Sequence, residues 1–225
     1  MRGHIYIRQA GICDYQATYA SMVRFTRERD ENTPDEIWCL QHPPVFTLGL
    51  GGKEKHILDS GDIPVIKTDR GGQVTYHGPG QMVVYLLLDL QRKKITIKHY
   101  VALLEQAIIE MCVSLGINAA RNAGAPGVYV AGKKIAALGI RVKRGYCYHG
   151  LSLNVDMDLA PFQRINPCGY PGLEVTQLKE QGSVLDINAT CTALLPCILK
   201  QLGYVDYEPV NAAGEFILMH TPQAA

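Results

Sequence analysis

A twelve-residue stretch, Arg70-Gly71-Gly72-Gln73-Val74-Thr75-Tyr76-His77-Gly78-Pro79-Gly80-Gln81, packs four glycines, a proline, an arginine and a histidine together. It runs straight into the apolar segment Met82 to Leu88. Glycine lets the backbone take φ > 0 and lets a ligand or another chain approach closely. A short apolar run bounded by such turn residues is the pattern of a buried strand. The combination predicts a rigid wall of a binding site rather than a linker. Gly78-Pro79-Gly80 alone reads as a tight turn. The whole stretch does not, because Arg70, Gln73, His77 and Gln81 place polar groups where the backbone is held most tightly.

The rest of the composition is that of a soluble globular chain: 225 residues, 47% hydrophobic and 19% charged. No linker divides it, so one domain over residues 1–225 is expected, with a frayed tail at 221–225. The formal net charge is +1, from 22 basic and 21 acidic side chains. That balance points away from a nucleic-acid or membrane surface. Met1-Arg2-Gly3-His4 leads into an alternating segment rather than the apolar core of a signal peptide. The run from Met82 to Leu88 is far short of a membrane span. Cytoplasmic location is therefore expected. The cysteines are Cys13, Cys39, Cys112, Cys147, Cys168, Cys191 and Cys197, an odd number without a CxxC pair. Such spacing argues against a disulfide framework and a zinc site.

Residues His4 to Arg8 alternate as a first strand, and Asp14 is placed to cap a helix running to about Glu31. Glu36–Leu40, Val45–Leu48 and Pro64–Lys67 read as strands. Ile97, Tyr100, Val101, Leu104, Ile108, Met111, Cys112 and Leu115 recur at helical spacing, with Gly116 at the C-cap. Gly127–Val130 and Ile135–Val142 flank Ala131-Gly132-Lys133, a hairpin signal. Tyr146 to Val155 alternates again, and Asp158 can cap a short helix through Arg164. Leu185 to Leu202 reads as a final helix, with Pro196 expected to kink it. Strands outnumber helices and group in hairpins rather than βαβ units. The expected fold class is α/β in the mixed, α+β sense: a largely antiparallel sheet flanked by helices.

Chemistry is concentrated at few positions. Cys168 lies on no periodic face and sits between Pro167 and Gly169, where a thiol is exposed or fills a loop corner. Exposed, it is a candidate nucleophile that a nearby cation would activate. Lys133-Lys134 precedes an apolar strand, and alternation sends the two to opposite faces. Lys134 is then either a buried, functional amine or an ordinary hairpin lysine. His77 and His149 lie beside glycines and are candidates for a base or a positioning group, or are core residues. Asp69, Asp156 and Asp158 read as caps and turn formers.

Several of these segments together resemble one family, the lipoyl(octanoyl) transferases. The resemblance rests on Arg70 to Gln81, on Gly132-Lys-Lys-Ile-Ala-Ala-Leu-Gly139, on His149-Gly-Leu-Ser-Leu-Asn154 and on Asn166-Pro-Cys-Gly169, in the family's order. It implies a fold like that of biotin and lipoate protein ligases. It also implies transfer of an octanoyl group from octanoyl-acyl carrier protein, through a cysteine thioester, to the lysine ε-amine of lipoyl domains. Those acceptors belong to 2-oxoacid dehydrogenases and the glycine-cleavage H protein. By resemblance Cys168 carries the acyl group and Lys134 activates it. Substrate-binding positions fall on Arg70, Gly71, Gly72, Gln73, Val74, Thr75, Tyr76 and His77, on Ala137, Leu138 and Gly139, and on His149, Gly150, Leu151 and Ser152. The donor brings its own phosphopantetheine, so no ATP, no metal and no other cofactor is expected, and the chain is expected to act as a monomer. Rivals are an ATP-dependent ligase of the same fold, a thioester hydrolase and a non-catalytic acyl-binding module.

Overall fold

The computed structural model describes residues 4–205 and 207–211. In chain order the elements are β1 (Ile5–Ile12), α1 (Tyr15–Glu28), β2 (Asp35–Gln41), β3 (Val45–Leu48), β4 (Val65–Lys67), β5 (Val74–His77) and β6 (Gln81–Asp89). They continue with α2 (Leu90–Lys93), α3 (Ile97–Ser114), β7 (Ala119–Arg121), β8 (Val128–Val130), β9 (Lys133–Lys143), β10 (Tyr146–Asn154), α4 (Ile187–Leu202) and β11 (Tyr207–Asn211). The predicted tail at 221–225 lies outside the described residues.

The main sheet has eight strands in the order β11-β1-β2-β6-β10-β9-β8-β7, and a second, three-stranded sheet has the order β4-β3-β5. From β2 to β7 every neighbouring pair in the main sheet is antiparallel. The other end differs from expectation, because β1 pairs in parallel with β2 and with β11. Parallel neighbours need a crossover, and α1 supplies it. One βαβ unit therefore opens the chain. The mixed, mostly antiparallel sheet flanked by helices is as predicted.

Alternation in β6 divides the core. Met82, Val84, Leu86 and Leu88 pack on one face with Tyr100, Leu104 and Ile108 of α3 and with Leu194 and Ile198 of α4. Val83, Tyr85 and Leu87 pack on the other face with Met22 of α1 and with Trp38. The helices begin where side-chain oxygens satisfy their first amides: Asp14 accepts from Ala17, Thr96 from His99 and Asp186 from Ala189. Helix α1 stops at Glu28 because Arg29 turns inward. Its guanidinium donates to the Leu87 carbonyl at 2.9 Å and meets buried Asp35 at 2.7 Å. Helix α4 continues through Pro196 to Leu202. The segment from Ala160 to Arg164 forms a 3-10 turn, with Asp158 accepting from the Ala160 amide at 2.9 Å.

The glycine-rich stretch is not one loop. Its middle forms β5, which pairs antiparallel with β3. Phe46, Leu48, Val74 and Tyr76 of the small sheet share an apolar cluster with Met157, Phe162 and Ile165. No helix among the described residues is long and apolar enough to cross a membrane.

Candidate active site

The β8–β9 hairpin turns at Ala131 and Gly132, both with positive φ. This register sends Lys133 outward, where it meets Glu174 at 3.3 Å, and turns Lys134 inward to 4% exposure. The Lys134 ammonium donates to the Pro126 carbonyl at 3.0 Å and lies 2.8 Å from Cys168 Sγ. Burial on its own lowers an ammonium. Here the Cys168 sulfur and the Tyr129 phenol outweigh burial, so Lys134 is held above its usual range. Gly127 makes room for this side chain. A Cβ there would stand 2.8 Å from Lys134 Cε and 2.7 Å from the Ala136 carbonyl oxygen. The Gly127 amide is fixed by the buried carboxylate of Glu105 at 2.8 Å.

Cys168 sits in a 3-10 turn, Pro167–Gly169, with φ of 57° and ψ of 14°. A non-glycine residue rarely holds that conformation, and such strain persists only where surrounding bonds enforce it. Those bonds are present: the Asn166 amide donates to the His56 carbonyl at 2.8 Å, and the Gly169 amide to the Asn166 carbonyl at 2.9 Å. Cys13, Cys39, Cys112, Cys147 and Cys191 are buried, whereas Cys168 is half-buried. Cys112 fills the apolar stripe of α3 as expected, and burial pushes its thiol up to about 11.

The thiol and the amine border a cavity of about 360 Å³, a volume suited to a small ligand. Arg70 to Thr75, His77, Ala137 to Gly139 and His149 to Ser152 all line it. Tyr76 does not. Strand alternation turns its ring to the other face of β5, where it packs against Phe46 and Phe162. Apolar walls that motif reading missed come from Val83, Ile97, Val101 and Pro126, and aromatic ones from Tyr15, Tyr85 and Tyr170. These belong to α1, β6, α3 and loops. Ile97 and Val101 do carry a signal, since they lie on the predicted apolar stripe of α3.

Arg70 is buried and meets no carboxylate at ion-pair distance among the described residues. Its Nε donates to Thr47 Oγ1 at 3.1 Å, Nη1 to the Gly71 carbonyl at 2.9 Å, and Nη2 to the carbonyls of Thr47 at 2.6 Å and Gln73 at 2.7 Å. Burial lowers this guanidinium from its ordinary value. Gly139 lets it lie flat on β9, since a Cβ there would stand 2.9 Å from Arg70 Cδ.

Two histidines, His77 and His149, line the cavity, and a third, His42, packs behind it against Tyr15, Tyr85 and His77. His42 bridges the Cys13 carbonyl and Tyr85 Oη, each at 2.7 Å. Burial depresses it to about 4, and His77 to about 3. His149 has φ of 61° within β10 and stacks on Tyr148 and Tyr19. Its Nε2 meets Asp69 Oδ1 at 3.1 Å. Burial lowers His149 against the opposing pull of Asp69, so the imidazole is neutral and donates from Nε2. Asp69 is thus no simple turn former: it accepts from His149 and from the Tyr148 hydroxyl. Asp156 meets Lys179 at 2.8 Å on the surface.

The mixed, mostly antiparallel sheet flanked by helices is a fold shared with lipoate and biotin protein ligases. A crystal structure of lipoate-protein ligase A bound with ATP superposes with a TM-score of 0.75 over 97% of this chain and 92% of that one, at 14% identity. Biotin protein ligase from Aquifex aeolicus, in complex with biotin and ATP, superposes with a TM-score of 0.55 over 90% of this chain and 71% of that one, at 13% identity. The lipoyl protein ligase A/B catalytic-domain model matches residues 14–199. An octanoyltransferase of Shewanella amazonensis is 52% identical over 200 residues, 89% of this chain and 93% of its own. One from Xanthomonas campestris is 53% identical over 212 residues, 94% of this chain and 91% of its own. The chain belongs to the lipoyl protein ligase A/B family and, within it, to the octanoyltransferases, which are acyltransferases.

Proposed function

We propose that this chain moves an octanoyl group from octanoyl-acyl carrier protein to the ε-amine of a lipoyl-domain lysine, with Cys168 carrying the acyl group between the two. The observation that carries this reading is the 2.8 Å contact of Lys134 Nζ with Cys168 Sγ at the wall of an apolar cavity. An ammonium at that distance favours the thiolate, which is both nucleophile and leaving group.

In the first half-reaction the Cys168 thiolate attacks the thioester carbonyl. The C–S bond to the pantetheine arm breaks, and the Lys134 ammonium passes its proton to the departing sulfur. In the second, the acceptor amine attacks the Cys168 thioester and gives its proton to the now neutral Lys134. The amide forms, Cys168 leaves as thiolate, and the starting ion pair is restored. A thioester-to-amide exchange runs downhill, so the reading requires neither ATP nor a metal. Burying the acyl chain against Val83, Val101 and Leu138 contributes about 0.8 kcal/mol per methylene. A free thiolate relay also needs a reducing compartment, which supports the cytoplasm as its place.

One assay with two arms tests the reading. A lipoyl domain is incubated with the protein and either octanoyl-carrier protein without ATP, or free octanoate with ATP. Acceptor mass should rise by one octanoyl group in the first arm only. A rise confined to the second arm would instead make the chain an ATP-dependent ligase.

A further inference from the structure

We propose that Asn154 is the positioning residue that sets Lys134 against Cys168, acting through the segment that follows the thiol loop. The inference rests on the thiol–amine pair described above and concerns what holds it.

Asn154 ends β10 and is buried. Its Nδ2 donates to the Thr176 carbonyl at 2.9 Å, and its own carbonyl accepts from the Leu178 amide at 3.0 Å. The segment it grips clamps Lys134 on both sides. The Thr176 amide donates to the Lys134 carbonyl, and the Lys134 amide to the Glu174 carbonyl, each at 2.9 Å. The same segment continues directly from the Cys168 turn. Asn154 therefore anchors the piece of chain that fixes amine and thiol relative to each other.

Asn154 is itself oriented by a hydrogen-bonded chain that begins at the cavity wall. Arg70 Nε and Nη2 donate to Thr47 Oγ1 at 3.1 and 2.9 Å. A guanidinium only donates, so the Thr47 hydroxyl is left to donate onward, toward His77 Nε2 at 3.5 Å. His77 Nδ1 then donates to Gln81 Oε1 at 2.7 Å, and Gln81 Nε2 to Asn154 Oδ1 at 2.9 Å. Thr47, His77, Gln81, Asn154 and Thr176 are all buried. The polarity runs one way from Arg70 to Thr176, and each amide and ring orientation follows from it. Gln81, Asn154, Lys134 and Cys168 also wall one small gap of about 10 Å³, so the chain lies directly behind the reacting pair.

Removing the Asn154 donor leaves the Thr176 carbonyl unpaired in the interior, and the segment must shift to satisfy it. A displacement near an ångström is enough to separate amine from thiol.

The test compares Asn154→Leu and Asn154→Asp with Lys134→Ala. The second variant keeps an acceptor for Gln81 and replaces the amide donor to Thr176 with a carboxyl oxygen. Iodoacetamide alkylation of Cys168 is followed across pH by mass spectrometry of its peptide, alongside kcat and KM and a thermal melt. Folded Asn154 variants should show the slowed alkylation profile of Lys134→Ala, and kcat should fall ~10-fold or more with little change in KM. A folded Asn154 variant with the wild-type profile and kcat overturns the proposal and leaves Asn154 as a stability residue. If Lys134→Ala itself leaves the profile unchanged, the pair reading fails instead. Should the variants not fold, nitrogen NMR of the unmodified protein decides: the relay requires His77 protonated at Nδ1, and an Nε2-protonated ring contradicts it.

Discussion

Cys168 and Lys134, which the sequence already singles out, are brought together by a third residue that has no side chain at all. Lys134 reaches Cys168 only because Gly127 leaves its methylenes a path, and Gly127 also holds φ of 139°. Gly127→Ala should therefore abolish most transfer activity and destabilise the hairpin by about 1–3 kcal/mol. Initial rates and a denaturant midpoint check both. An active, equally stable variant would mean that the lysine has another route. Strand alternation made legible that Lys133 and Lys134 face opposite ways, but which of them faces in was given by the motif resemblance and is fixed by the hairpin register. The strained φ of Cys168 was not legible, since the turn that holds it is anchored by the Asn166 amide on the His56 carbonyl, a bond between residues far apart in sequence. Asp69 was misread for the same reason. Its partners Tyr148 and His149 come from β10, and nothing within a few residues of Asp69 announces them.

Among the elements, those closed by local chemistry were readable and those closed by distant pairing were not. Helices α1, α3 and α4 carry their caps in sequence at Asp14, Thr96 and Asp186. Strands β7 and β11 lie at the two ends of the main sheet, and their residues show no period that marks them. Strand β5 was hidden inside the glycine-rich stretch, where turn residues on both sides mask a pairing partner supplied by β3. That partner matters, because Thr47 of β3 accepts two hydrogen bonds from Arg70. Thr47→Val keeps the shape but leaves the buried Arg70 Nε unpaired, while Nη2 keeps the Thr47 and Gln73 carbonyls. It should cost about 1–3 kcal/mol of stability and raise KM for the acyl donor, as measured by thermal melts and steady-state rates. Unchanged stability would place the Arg70 bonds outside the fold's requirements.

In the molecule as a whole, the cavity forms where the small sheet, the inner strands β6, β10 and β9 of the main sheet and α3 meet. Burial keeps two histidines in this region neutral, His77 in the cavity wall and His42 behind it. His42 and His77 titrate near 4 and 3 when folded but near 6.5 when unfolded. The unfolded chain thus binds more protons between those limits. Their contribution to stability is complete above about pH 6.5 and falls as pH drops toward the folded values. Between pH 7 and pH 5 the denaturant midpoint should fall, by an amount equivalent to about 2 kcal/mol per histidine. A flat profile over that window would show that neither histidine is held neutral.

In the proposed reaction Cys168 carries the acyl group. Mass spectrometry of the protein after mixing with octanoyl-carrier protein, before any lipoyl domain is added, tests it most directly. One octanoyl increment is expected on the Cys168 peptide, lost when lipoyl domain is added and absent in Cys168→Ala. Transfer to the lipoyl domain at an undiminished rate by Cys168→Ala, with no increment on the wild-type chain, would contradict it.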